Sequence, residues 1–564
     1  MNSILILLLG IVGLGFGWFI YSRLVAKHIF KLSRDFVTPA HQFEDGVDFV
    51  PTHKLVLLGH HFTSVAGAAP IVGPAIAVYW GWVPAMLWIV IGSVFFAGVH
   101  DMGALWASNR HQGKSIGALS ESVIGPRTRM LFMVVVFLVL LMVNSVFAVI
   151  IANAFVNNPG SVLPAWSAIV VALIIGQLLY RNKRWIGVLA VVGVVVLYGA
   201  IYAGSEIPLS LPSPIVGLDA TVLWILILFA YAAIASLLPV WVLLQPRDFI
   251  NGMQLVVGLL LLYGAVLLSA PDITAPAFNP QTTEDTPSMI PLLFVTIACG
   301  AVSGFHGIVA SGTTSKQLNR ETDARLVGYL SALGEGALAL ITLIVVSGVA
   351  LAATPDIWHQ TYAHFGDGAA AAFIKGGAQL IEQGWGLPAG IASTLLATMV
   401  VLFAGTTMDS SVRLQRYIIQ EWGEIYHIPA IKNGILATLI AVASCLLLAF
   451  GAGGEAGTGG MILWPLFGST NQILAAMTLL VLSVMLIKMK RPASVTLIPM
   501  TFILVVSFFA AGTIFLSLLK ERNYLLLAVN AAVLVIALTV VLEALSVILR
   551  QRTDSQKPIG ESEA

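Results

Sequence analysis

The chain is patterned in long apolar runs rather than in apolar–polar alternation. Stretches near the 20 or so apolar residues that a helix needs to cross a bilayer recur between short clusters of charge. Fifteen can be read: 2–22, 55–79, 83–107, 130–154, 164–180, 185–203, 221–243, 250–270, 289–311, 327–352, 389–410, 430–452, 461–486, 494–519 and 524–549. A membrane β-barrel would show short alternating segments instead. The pattern therefore predicts an all-α polytopic membrane protein with about fifteen transmembrane helices.

Composition narrows this further. Of 564 residues, 58% are hydrophobic and 10% charged, where a soluble domain carries roughly 25% charged residues. So few charges could not keep the surface of a soluble fold wet, so the partner is the lipid bilayer. A net charge of +1 leaves no basic excess for nucleic acid. The two cysteines, Cys299 and Cys445, sit inside apolar runs and read as core thiols, not a disulfide framework.

Charge also orients the chain. Of the 28 Lys and Arg, 25 follow the odd-numbered spans, with Lys432 counted at the mouth of the twelfth. Only Lys375, Lys520 and Arg522 fall on the other side. Positive residues favour the cytoplasm, which places the N-terminus outside and the C-terminus in the cytoplasm. A missed span would scramble the alternation, so the same count supports fifteen. Met1-Asn2-Ser3 offers no basic region ahead of the first run, and Arg23, Lys27, Lys31 and Arg34 follow it. The first span thus reads as a retained helix rather than a signal peptide. Segment 23–54 reads as a cytoplasmic loop, 271–288 and 353–388 as long external connections, and 550–564 as a polar cytoplasmic tail.

Some spans do not read as simple rods. The second holds Gly67, Pro70, Gly73 and Pro74, and an interior proline costs a helix roughly 3 kcal/mol. The seventh holds Pro239, with Pro246 at its cytoplasmic end, and the ninth interleaves glycines with Ser303, His306, Ser311, Thr313 and Thr314. Irregular backbone at membrane depth survives only where it is buried in protein or lines a cavity. Spans 2 and 7 run in opposite directions, five apart, as the broken helices of an inverted five-helix repeat do. That reading divides the chain into 1–54 (first helix and loop), 55–203 (first repeat), 221–410 (second repeat), 430–549 (peripheral helices) and 550–564 (tail). Breaks are expected near Gly67–Gly73 and near Ser236–Pro239, facing each other around a central cavity.

Five ordered motifs carry a family resemblance. GHHFTSVAGAAPIVGP at 59–74, LLPVWVLLQPRDF at 237–249, TIACGAVSGFHGIVASGTT at 296–314, NRETDAR at 319–325 and LWPLFGSTNQILAA at 463–476 resemble the carbon starvation protein A (CstA) family over about residues 55–490. The resemblance implies a bacterial inner-membrane transporter with a LeuT-like, APC-type inverted repeat. It implies uptake of peptides during carbon starvation, or proton-coupled uptake of pyruvate. In such folds a coupling ion sits between the first and eighth core helices, here spans 2 and 9.

Ionisable residues inside spans are costly and therefore candidates for function, each beside a plainer role. His60 and His61 either relay protons or contact substrate, or else bond neighbouring helices. Adjacent helical residues point about 100° apart, so the two cannot face one cavity equally, and His60 shares a face with Ser64. His100 and Asp101 either share a proton or form an interfacial pair with Arg110. His306 stands with Ser311, Thr313 and Thr314, whose hydroxyls either bind Na⁺ or donate to a carboxylate, or else pack helices. Glu335, between Gly334 and Gly336, either carries a proton or pairs with an Arg. Asp409 reads as a local pair with Arg413, four residues on. Together His60, His61, His100, Asp101, His306, Glu335 and Asp409 come from five spans and fall in the cytoplasmic half, which points to one shared polar site.

The leading functional reading is a secondary active transporter importing peptides, with H⁺ rather than Na⁺ favoured as the coupling ion by the histidines. A pyruvate/H⁺ symporter is the alternative, and a channel a third. No GxxxxGK[ST], HExxH or CxxCH motif occurs, and no facing His pair suggests haem. The sequence thus supports neither an enzyme, a cofactor nor a metal site.

Overall fold

The computed structural model describes residues 2–46, 48–181, 186–214, 217–239, 242–279, 287–348, 362, 369–453 and 462–555. It is a helical bundle. In chain order its main helices are α1 (Ser3–Phe30), α2 (Lys54–Val65), α3 (Ala69–Ala77), α4 (Trp82–Arg110), α5 (Pro126–Asn157), α6 (Val162–Arg181), α7 (Ile186–Glu206), α8 (Ala220–Leu237) and α9 (Leu244–Ser269). There follow α10 (Met289–Thr296), α11 (Gly304–Gly312), α12 (Leu330–Ser347), α13 (Ala369–Trp385), α14 (Ala389–Ile425), α15 (Gly434–Gly451), α16 (Trp464–Lys488), α17 (Ser494–Lys520) and α18 (Tyr524–Ser555). Thirteen stretches are long and apolar enough to cross a membrane, and α2 with α3 makes a fourteenth, bent by 48°. The ninth expected span is present as two short helices, α10 and α11. Every expected span thus has its helices. Most of 353–388 ahead of Ala369, and the tail from 556, lie outside the described residues.

The first break falls where the glycines and prolines place it. Ala66 leaves the helical region (φ −80, ψ 69) and Pro70 opens α3 in its first turn, where a proline costs no backbone hydrogen bond. A Cβ on Gly67 would lie 2.8 Å from Phe147 and from Thr407. Only glycine admits that approach to α5 and α14.

The second break differs from expectation. It lies in span 9, not span 7. Ile297 leaves the helical region, Gly300 has φ +95, and Ser303 is extended. The helix α8 instead runs unbroken to Leu237, and Leu238 is extended. Pro239 therefore terminates a helix at its basic end. It looked internal because the apolar run continues through Leu243. Arg413 closes that terminus by donating to the carbonyls of Ala235 (3.0 Å) and Leu238 (2.5 Å), as cations suit helix C-termini.

The two true breaks meet. A Cβ on Gly73 would come within 2.5 Å of the Thr296 carbonyl, and one on Gly300 within 3.5 Å of Pro70. The packing around them is reciprocal: α3 lies on α12 and α11 on α4, while α2 lies on α9 and α11 on α16. The helices α5 and α14 pack along each other at the centre. The hairpin α6–α7 lies outside, against α9 and α14.

Burial separates core from rim. In α16, 94% of the apolar window is buried, against 28% in α17 and α18. The helix over 461–486, expected at the periphery, is therefore central, while α1, α17 and α18 form the rim. Two further features escaped the apolar runs. The helix α13 is amphipathic, burying Phe373, Leu380 and Ile381, and is too polar to register as a span. The helix α14 continues well past residue 410, because charge ends an apolar run without ending a helix.

Candidate functional site

A first cluster gathers at the break of span 9. A π-helical turn over Gly92–Ala97 precedes His100 and Asp101 in α4, a distortion that recurs at functional sites. His100 Nδ1 lies 2.7 Å from Asp101 Oδ1, and His306 Nδ1 lies 2.8 Å from Asp101 Oδ2. On its other side His306 Nε2 is 3.1 Å from Glu335 Oε2. That is an ion-pair separation at an angle that leaves both atoms without a hydrogen bond. All four side chains are fully buried.

Local sequence explains the placement. His306 is the third residue of α11, whose first turn is held from α16: the Phe305 N–H donates to Asn471 Oδ1 at 2.9 Å. Glu335 lies between glycines because a Cβ on Gly334 would meet the Phe62 ring at 2.7 Å and one on Gly336 would strike Ser93. The small neighbours let α12 press flat against α2 and α4.

A second cluster ties α2, α8, α9 and α14 together. His60 Nδ1 is 3.1 Å from Asp248 Oδ2, and Arg247 pairs with Asp409. Arg247 also donates to the Tyr231 hydroxyl (2.9 Å), which donates to Asp409 (2.7 Å). Asp248 and Asp409 are fully buried and Arg247 nearly so.

The expected single site is thus two. The adjacent histidines divide between directions as their helical angle requires: His60 faces Asp248 on α9, and His61 Nδ1 lies 2.9 Å from Thr314 Oγ1. Asp409 pairs with Arg247 and not with Arg413, which is occupied at α8. Arg110 bonds Glu321 at 2.5 and 2.8 Å, not the His100–Asp101 pair. Of the hydroxyl run, Ser311 donates to the Gly307 carbonyl (2.6 Å) and accepts from the Ile116 N–H (2.9 Å), and Thr313 donates to the Val309 carbonyl (2.9 Å). Ser64 donates to the His60 carbonyl (2.8 Å). Gly67 and Gly73 shape the break. Sequence reasoning missed Arg247, Asp248, Tyr231 and Asn471. The first two stand in the QPRDF stretch, where they pass for a charged connection. Among the described residues no group of three or more His, Cys, Asp or Glu could hold a metal ion.

With this geometry in hand, comparison with known proteins is direct. The description "Carbon starvation protein CstA" belongs to a family model that matches residues 2–354 and 345–510. The chain belongs to the CstA family. A relative named peptide transporter CstA, from Campylobacter jejuni, is 33% identical over 549 residues, covering 87% of this chain and 77% of its own. A pyruvate/proton symporter, BtsT of Escherichia coli, is 32% identical, covering 87% and 79%. Among solved structures, a point mutant of the manganese transporter of Eremococcus coleocola superposes with a TM-score of 0.50 at 12% identity, covering 90% of this chain and 99% of its own. That likeness concerns the fold, the inverted-repeat architecture of broken-helix transporters.

Proposed function

We propose that this CstA-family membrane protein, a transporter and not an enzyme, imports short peptides across the cytoplasmic membrane with a coupling proton. Twenty-five of 28 Lys and Arg follow odd-numbered spans, which supports a cytoplasmic basic end and C-terminus. We infer that one repeat comprises α2–α5 with α8 and α9, and the other α10–α12 with α14–α16. The hairpin α6–α7 is an insertion in the first. These boundaries replace the division at 203 and 221, because reciprocal packing and the two breaks favour them.

One observation carries the proton reading: His306 lies between two carboxylates. An imidazole has a hydrogen for both neighbours only when protonated. Removing that proton changes the charge of a fully buried site, and burial makes such a change costly. A proton taken up or lost there therefore favours one packing of α4, α11 and α12 over another. Histidine nitrogens already meet both Asp101 oxygens, an arrangement that favours H⁺ over Na⁺. The substrate carboxylate suits the partially positive start of α3, which has no side-chain cap, as anions suit helix N-termini. Pro70 has no N–H there, and those of Ile71 and Val72 bond the Ala68 carbonyl. The start of α11, by contrast, is taken by Asn471.

Pyruvate is the second reading, favoured by the 32% identity to a pyruvate/proton symporter. Purified protein in proteoliposomes distinguishes the two. An inward proton gradient should drive accumulation of di- and tripeptides, and a Na⁺ gradient should not. Accumulation of pyruvate alone would shift the substrate, and drive by Na⁺ alone would remove the proton role.

A further inference from the structure

A cavity of about 190 Å³ opens at the end of the bundle opposite the basic connections. Its walls are Val72 of α3, the last turns of α5 and the start of α13. Phe147, one turn before Ile150 on α5, lies against the Gly67 break. The cavity therefore stands directly outside the crossing of the broken helices.

Its polar groups are amides. Asn153, Asn157 and Asn158 line it, and among the described residues no charged side chain does. Among the described residues neither the half-buried Asn153 nor the exposed Asn157 has a side-chain hydrogen-bond partner. Spaced four apart on a helix, these two share one face and are separated by about 6 Å along it. An extended peptide advances about 3.3–3.6 Å per residue, so its peptide units recur on one side at nearly that spacing. An asparagine amide offers a donor and an acceptor, which is what a peptide unit needs. A keto acid anion presents acceptors only and finds no cation among the described residues here. Opposite, Ala369, Ala370 and Ala371 leave room for side chains.

We propose that Asn153 and Asn157 form an outer binding site that reads the backbone of a short extended peptide before it reaches the broken helices. This rests on the peptide reading above and assigns it residues. In proteoliposomes, Asn153→Leu and Asn157→Leu, which keep volume and remove the amide, should each raise the half-saturating concentration of tri-alanine about tenfold. The maximal rate should stay within about twofold, and Asn153→Gln should recover part of the loss. As a second measurement, Asn157→Cys should react with a membrane-impermeant thiol reagent, and tri-alanine should slow that reaction. Cys299 and Cys445 are buried and should stay silent. A wild-type protein that accumulates tri-alanine, with unchanged half-saturation in both Leu variants and no protection of the cysteine, overturns the assignment alone. A wild-type protein that accumulates no peptide overturns both it and the peptide reading.

Discussion

Two buried ionic clusters occupy this bundle, and they are built differently. The one around His306 has two imidazoles and two carboxylates, with no Arg or Lys among its ion pairs in the described residues. The one around Arg247 has a guanidinium that remains charged at any accessible pH, held between Asp409, Asp248 and Tyr231. A cluster without a fixed cation changes charge by a single proton. A cluster built on arginine keeps its charge and fastens helices. The contrast teaches that buried charge at membrane depth is not one signal: the partner decides whether a group can change its charge or is held charged.

The largest expected effect tests the clamp. Arg247→Met leaves two aspartates buried without their cation, and breaking a buried pair this way costs about 3–5 kcal/mol. Thermal unfolding in detergent should show that loss, and Asp409→Asn in the same chain should recover part of it. An Arg247→Met protein as stable as wild type would mean that the cluster does not fasten α9 to α14.

Next comes the coupling cluster. Glu335→Gln removes one charge and keeps the shape. It should reduce uphill peptide accumulation at least tenfold, about 1.4 kcal/mol, while peptide exchange stays within about threefold and stability changes far less than in Arg247→Met. Asp101→Asn should behave alike. Full accumulation in both variants would make the His306 cluster structural.

Much of this fold was legible in the sequence, and the exceptions share a physical cause. Apolar length finds spans, so thirteen membrane-length helices and the bent pair α2–α3 stand where runs were expected, and the ninth run holds the short helices α10 and α11. Proline marks a place where a helix cannot continue, without saying whether a helix resumes in line. Pro70 sits at a true break and Pro239 at a terminus, and only the extended backbone at Leu238 separates the cases. The candidate residues His60, His61, His100, Asp101, His306, Glu335 and Asp409 were all legible as polar groups inside spans, and all but the partly exposed His60 are buried. Their grouping was not, because a partner such as Asp248, 188 residues from His60, leaves no local trace. Near neighbours misled instead: Asp409 with Arg413 and Asp101 with Arg110 look paired along the helix, yet each arginine is engaged elsewhere.

The adjacent histidines sharpen the comparison with a smaller effect. His60→Gln keeps an N–H donor for Asp248 and leaves the clamp's cation in place, so accumulation should stay within about twofold of wild type. His306→Gln cannot carry a proton between Asp101 and Glu335 and should lose accumulation as Glu335→Gln does. Coupling lost in His60→Gln but kept in His306→Gln would exchange the roles of the two clusters.

The smallest effect separates a proton site from a hydroxyl-lined cation site. Thr313 and Thr314 are neighbours, yet their hydroxyls do different things. Thr313 Oγ1 donates back to the Val309 carbonyl at 2.9 Å, while Thr314 Oγ1 meets His61 Nδ1 at 2.9 Å. A backbone-directed hydroxyl of this kind contributes little net stability, and its loss in Thr313→Val should leave proton-driven uptake unchanged within error. Thr314→Val strips His61 of its one hydrogen-bond partner among the described residues, in a site where the His61 side chain is fully buried. Leaving such a group unsatisfied costs about 1–3 kcal/mol, so this variant should lose stability modestly. Its accumulation should fall by less than in Glu335→Gln, because His61 touches neither Asp101 nor Glu335. If Thr313→Val instead abolished uptake and made the remainder depend on Na⁺, the hydroxyl run would be the ion site. The cluster around His306 would then join the one around Arg247 as a clamp.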